Sequence, residues 1–145
     1  TELSAAVAEI LADHDQCVIE VYIPGQAVTV MSVPGLRSTR LYHAPIMTWT
    51  EDFLSQPDTP EVLIPATINK TMKQAAYDLL DSIYPLLGLQ GAVKTDLVIG
   101  NDNEVYFLEV NSLASLEPGS AMEQSFAEVA VRPDELIAHQ LATLK

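Results

Sequence analysis

Apolar residues return along this chain in two periods, one near 3.6 residues and one of 2, and their alternation lays out the elements. Leu3, Ala6, Val7, Ile10 and Leu11 share one helical face, which predicts a helix over 2–12 that Asp13-His14-Asp15-Gln16 ends. Cys17 to Ile23, rich in valine and isoleucine, predicts a strand. Pro24-Gly25 turns it into a second strand, Ala27 to Val33, so the two read as a hairpin. Pro34-Gly35 is the next turn, Thr39 to Ile46 is a further strand candidate, and Thr48 to Pro60 is a polar surface loop.

Asn69 stands where a cap belongs for a helix running to Leu87, with Met72, Ala75, Ala76, Leu79, Leu80, Ile83 and Leu87 on its apolar face. Gly88 stops that helix, and Pro85 is expected to kink or shorten its last turn by removing one hydrogen bond. Ser112 to Gly119 reads as an irregular loop and Ala121 to Val129 as a helix. Pro133 suits the first position of a final helix over 134–144. Hairpins kept apart from helices make the class α+β, with a mixed or antiparallel sheet.

Between these helices, Gly91 to Asn111 carries the chain's chemistry. Val93, Thr95, Leu97 and Ile99 alternate with Lys94, Asp96 and Val98, and Gly100-Asn-Asp-Asn103 is a hairpin turn. An even-numbered loop sets Lys94 opposite Glu109 and Asp96 opposite Phe107, with Asn111 following on the same face and Tyr106, Leu108 and Val110 turned to the core. Three oxygen donors on neighbouring strands suit a hard cation such as magnesium, and Lys94 suits the phosphate charge that accompanies it. The competing reading is a solvated face on which Lys94 pairs with Glu109 and Asp96.

Composition narrows the classes. At 145 residues the chain is long enough for one real core, and a net charge of -13 with 7 Lys+Arg argues against nucleic acid or an anionic membrane as partner. Charge or proline breaks the longest apolar runs short of a bilayer span, and no basic stretch followed by an apolar one opens the chain, so the expected setting is the cytoplasm. Cys17 stands alone at the start of an apolar segment, which fits a buried, inert thiol; His14, His43 and His139 have no ligand spacing among them.

Lys94-Thr-Asp96 and Leu108-Glu-Val-Asn111 match, at the right separation, an R-x-D strand followed by an L-E-x-N strand. Val18-Ile-Glu-Val-Tyr-Ile-Pro-Gly25 is similar to a V-x-x-E-x-x-I-x-G hinge, and Ile64-Pro65-Ala66 and Leu87-Gly88-Leu89-Gln-Gly91 follow in the same order. In this series the chain resembles the C-terminal half of an ATP-grasp ligase, most closely the D-alanine-D-alanine ligases.

The resemblance implies a C-terminal lobe over 34–145 and the end of a nucleotide-hinge subdomain over 1–33. It implies magnesium, with manganese as the alternative, held by Asp96, Glu109 and Asn111, and Lys94 on phosphate in place of arginine. Glu20, Val21 and Ile23 line the adenine of ATP, Leu108 packs beneath it, and Ser120 grips a carboxylate of a small amino-acid-like substrate. The implied chemistry is peptide-bond formation through an acyl phosphate.

The chain also departs from the pattern. Ala27 stands where the ribose-binding acid belongs, and Ser112-Leu-Ala-Ser115 replaces T-x-P-G. Ala121 replaces a leucine, and Leu41 to Phe53 lacks the tyrosine-rich mobile loop. The phosphate-clamping lobe lies outside these residues. The expected partners are therefore an N-terminal lobe or, for a homodimer, a second copy of the chain, and turnover by this polypeptide alone is not expected. Two readings stand: the catalytic half of such a ligase, or a degenerate module that binds a ligand or protein without catalysis.

Overall fold

The computed structural model describes residues 1–49 and 62–143, without the side chains of Trp49 and Val62. Among the described residues one sheet runs β4-β3-β1-β5-β6, with β2 also on β1. Its strands are β1 (Gly25–Pro34), β2 (Leu41–His43), β3 (Met47–Trp49), β4 (Val62–Leu63), β5 (Val93–Gly100) and β6 (Val105–Asn111). All pairings are antiparallel. Helices α1 (Glu2–Asp13), α2 (Lys70–Leu86), α3 (Ala121–Ala127) and α4 (Pro133–Thr143) complete the α+β fold.

The sheet is buried on both faces where helices cover it, which is why Val28-Thr-Val-Met-Ser-Val33 reads as nearly continuous burial. On one face Val28, Val30, Leu97 and Ile99 pack against Met72, Ala76 and Leu80 of α2. On the other, Met31, Val33 and Met47 pack against Met122 and Phe126 of α3 and Leu136 of α4. Met72, Ala76 and Leu80 are spaced by four, so a single stripe of α2 faces the sheet. Its cap is as expected: the Asn69 side chain accepts from the Met72 amide at 2.9 Å. Pro85 is carried inside the last turn, which closes when the Leu89 amide bonds to Tyr84 O and the Gly88 amide to Pro85 O, with Gly88 at φ 64.

Several expectations about elements are corrected. Cys17 to Ile23 forms no strand and makes no hairpin with β1, whose neighbours are β2, β3 and β5. The segment stays largely exposed, with Val18 at 81%, Val21 at 89% and Tyr22 at 84%, because β1 already has a partner on each side. Cys17 is accordingly half-buried rather than a core thiol. Helix α1 forms where its period predicts, with Thr1 as cap, yet buries none of its residues.

The strand expected over Thr39 to Ile46 is shorter, and Thr48 and Trp49 belong to β3; the rest of the loop expected as far as Pro60 lies outside the described residues. The register of the central hairpin also differs. The loop between Gly100 and Glu104 is odd-numbered, so Leu97 rather than Asp96 pairs with Phe107, and a bulge then gives β6 one extra residue, so that Asp96 pairs with Glu109 and Lys94 with Asn111. Tyr106 and Leu108 are therefore not core residues, while Val105 packs on the α2 side.

Candidate functional site

Strand alternation puts Thr29, Met31, Lys94 and Asp96 on the sheet face that carries α3 and α4, where Thr29 and Met31 are buried and Lys94 and Asp96 part-exposed. Asp96 is held from two sides. Thr29 Oγ1 donates to Asp96 Oδ1 at 2.6 Å, and Lys94 Nζ lies 2.8 Å from Oδ2. The Lys94 and Asp96 side chains retain 28% and 21% of their exposure, so the pair meets solvent on one side only. Glu109 faces Asp96 across the ladder and is exposed, and Asn111 lies two residues further on, opposite Lys94. The Asn111 Oδ1 accepts from the Leu113 amide at 2.8 Å, which turns the chain out of β6.

The structure thus brings Lys94, Asp96, Glu109 and Asn111 to one corner, with Lys94 paired to Asp96 rather than facing Glu109. Two carboxylates and an amide oxygen are hard donors suited to a cation that keeps phosphate and water as its other ligands. Among the described residues no group of three His, Cys, Asp or Glu side chains gathers, so no all-protein cage competes with this arrangement.

A second feature lies at the turn end of the hairpin. A cleft of 640 Å³ is lined by Val21, Tyr22, Ile23, Pro24, Asn101, Asp102 and Tyr106. The expected adenine residues Val21 and Ile23 are in its wall. Glu20 is not, and Leu108 stands apart with 52% exposure. The segment 17–24 is fastened there by the Asn101 amide, which donates to Pro24 O at 3.0 Å. Gly25 runs against Gly100 so closely that a Cβ would fall 2.3 Å from Ile99 O, hence the glycine. Tyr106 donates to Asp102 Oδ2 at 2.6 Å, a bond that lowers the Asp102 pKa and raises that of Tyr106.

Ser120 sits elsewhere, capping α3 by accepting from the Glu123 amide at 3.3 Å, while Glu123 Oε2 accepts from the Gly119 amide. Spacing gave no sign of Thr29, whose role depends on a partner 67 residues away. Nor did it show that His43 is buried on the α2 side, with Nδ1 2.8 Å from Ser32 Oγ, Nε2 3.5 Å from Asp81, and its ring stacked on Tyr77 at 4.7 Å. Burial lowers the His43 pKa and the Asp81 carboxylate partly restores it. Ser32 is only 1% exposed, so this Ser-His-Asp trio offers no nucleophile to a substrate.

Comparison with known proteins agrees with this architecture. A sequence profile described as D-ala D-ala ligase C-terminus matches residues 1–142. The D-alanine--D-alanine ligase of Syntrophotalea carbinolica is 28% identical over 143 residues, covering 97% of this chain and 46% of its own length. Among solved structures, the D-alanine--D-alanine ligase of Bacillus anthracis complexed with ATP superposes with a TM-score of 0.77 at 19% identity, over 98% of this chain and 45% of that one. The VanG D-Ala:D-Ser ligase of Enterococcus faecalis does so at 0.76 and 17%, over 98% and 43%.

The fold is that of the C-terminal lobe of an ATP-grasp ligase. The chain belongs to the D-alanine-D-alanine ligase C-terminal family. It spans about half the length of the relatives it matches.

Proposed function

We propose that this chain is the nucleotide- and metal-binding half of an ATP-dependent carboxylate-amine ligase. The observation that carries this reading is the bulged register, which aligns Asp96, Glu109, Asn111 and Lys94 at one corner. In the reading, Asp96, Glu109 and Asn111 hold magnesium, or manganese, against the phosphates of ATP. Lys94 leaves its ion pair to supply charge there, as a point cation without the bidentate fork of arginine. Residues 1–33 contribute the hinge, where Val21 and Ile23 present backbone to adenine, Glu20 reaches the adenine amino group and Leu108 supports the ring. Ser120 orients a substrate carboxylate.

Magnesium-bound ATP supplies the phosphoryl group that activates one carboxylate for attack by a second substrate's amine. The chain's own residues position charge and exclude water from one side. An N-terminal lobe closes the other side in the whole enzyme, and exposed Val18, Val21, Tyr22 and Leu113 are apolar surface open to that lobe or to a second copy of the chain. Among the described residues no helix is long and apolar enough to cross a membrane, and we assign the activity to the cytoplasm.

One observation favours the degenerate-module reading: both Asp96 oxygens are already engaged inside the protein. Calorimetric titration of Mg-ATP into the folded chain and into an Asp96→Asn, Glu109→Gln variant separates the two readings. Binding in the parent that the variant loses supports the ligase half. Absence of heat in both supports the module.

A further inference from the structure

The two oxygens of Asp96 have different partners, and the difference is built into the sheet. Thr29 is 2% exposed, lies directly across the β1–β5 ladder from Asp96, and donates to Oδ1 at 2.6 Å. Its donor is fixed by a strand buried on both faces, and β-branching restricts its χ1, so the hydroxyl has little freedom to leave. Oδ2 is held instead by Lys94, a long and partly exposed side chain whose ammonium can withdraw.

We propose that Thr29 is the positioning residue for the cation ligand Asp96. It pins Oδ1, which turns the carboxylate so that Oδ2 alone is the exchangeable oxygen, held by Lys94 in the unloaded chain and passed to the cation on loading. This inference rests on the metal reading above.

The test uses the Mn2+ complex of ATP, with binding followed by enhancement of water-proton relaxation. Four proteins are compared: the parent, Thr29→Val, Thr29→Ser and Asp96→Asn. Thr29→Val keeps the shape of the side chain and removes the donor. It is expected to weaken Mn-ATP binding by about tenfold, the lower end for loss of an outer-shell partner. Thr29→Ser, which keeps the hydroxyl, is expected to restore binding to within about threefold of the parent on the same scale.

ATP binding measured with excess EDTA is expected to be equal in parent and Thr29→Val, a result that general loosening of the fold would not give. Equal Mn-ATP affinity in parent and Thr29→Val, with binding lost in Asp96→Asn, overturns the positioning role and leaves the metal site standing. Equal affinity in parent and Asp96→Asn overturns the metal reading itself, and this inference with it.

Discussion

Asp96 and Glu109 stand opposite each other across the β5–β6 ladder, immediately beyond the bulge that gives β6 one extra residue. The pairings nearer the turn are Leu97 with Phe107 and Val98 with Tyr106; continued without a break, they would set Asp96 against Leu108 and Lys94 against Val110. The bulge exchanges those apolar partners for Glu109 and Asn111. Bulges re-aim side chains in this way at functional positions.

Glu109→Lys tests what the pairing is for. It sets an ammonium opposite Asp96 where the account places a cation. Glu109 is exposed, so stability without ligand is expected to change by no more than about 0.5 kcal/mol. Mg-ATP is expected to raise the Tm of the parent, as any ligand specific to the native state does, and to leave the Tm of Glu109→Lys unmoved. Thermal melts with and without Mg-ATP read both outcomes.

His43 gives an acid dependence. Burial pulls its folded-state pKa below the ordinary 6.5 and Asp81 pushes it back up, with burial the larger effect. The unfolded chain therefore takes up a proton first as pH falls, and stability drops through the window that opens near 6.5 and extends down to the folded pKa. Asp81→Asn removes the opposing push and is expected to steepen the loss of Tm between about pH 7.5 and 5.5, a span that brackets the ordinary histidine pKa. His43→Gln is expected to flatten it.

At the alkaline end Tyr77 and Tyr84 set the behaviour. Burial pushes both phenols up to about 12, against an ordinary value of 10. Their neutral forms are bonded to Ala44 O at 3.3 Å and Gly91 O at 2.6 Å respectively. A raised acid pKa means that the unfolded state loses its proton first, so stability falls as pH rises above 10. In a spectrophotometric titration the Tyr77 and Tyr84 phenols are expected to ionise late, along with Tyr106, which its bond to Asp102 also raises, and the delay is expected to vanish once urea unfolds the chain.

Ser120 has a structural duty that its functional assignment must be separated from. As the cap of α3 it is expected to cost about 1 kcal/mol on substitution by alanine and far less by aspartate, which also caps. Thermal melts of Ser120→Ala and Ser120→Asp check the order. In the whole ligase Ser120→Asp is expected to raise KM for the substrate whose carboxylate it would then repel.

How much of this was legible in the sequence divides by range. Helix α2 was readable from Asn69 to Gly88 because its cap, stripe and stop are local signals. The two strands of the central hairpin were readable from alternation, and so was the set Lys94, Asp96, Glu109 and Asn111. Its register was not, since the turn residues do not reveal that the loop is odd-numbered and a one-residue bulge leaves no mark on period 2. Cys17 to Ile23 misled because valine and isoleucine give strand propensity without supplying a neighbour to pair with. Thr29 and the His43 cluster stayed hidden because each is made by contacts between segments far apart in the chain.

The central claim is that a divalent cation sits at the Asp96–Glu109 corner of a chain with net charge -13, whose surface offers many other carboxylates. Paramagnetic broadening of backbone amide signals by sub-stoichiometric Mn-ATP tests it most directly. The amides of residues 94–97 and 109–111 are expected to broaden first, with those of the cleft residues Val21 and Ile23 following. First broadening at the turn acids Asp102 and Glu104 or along α1, with residues 94–97 and 109–111 left sharp, would contradict it.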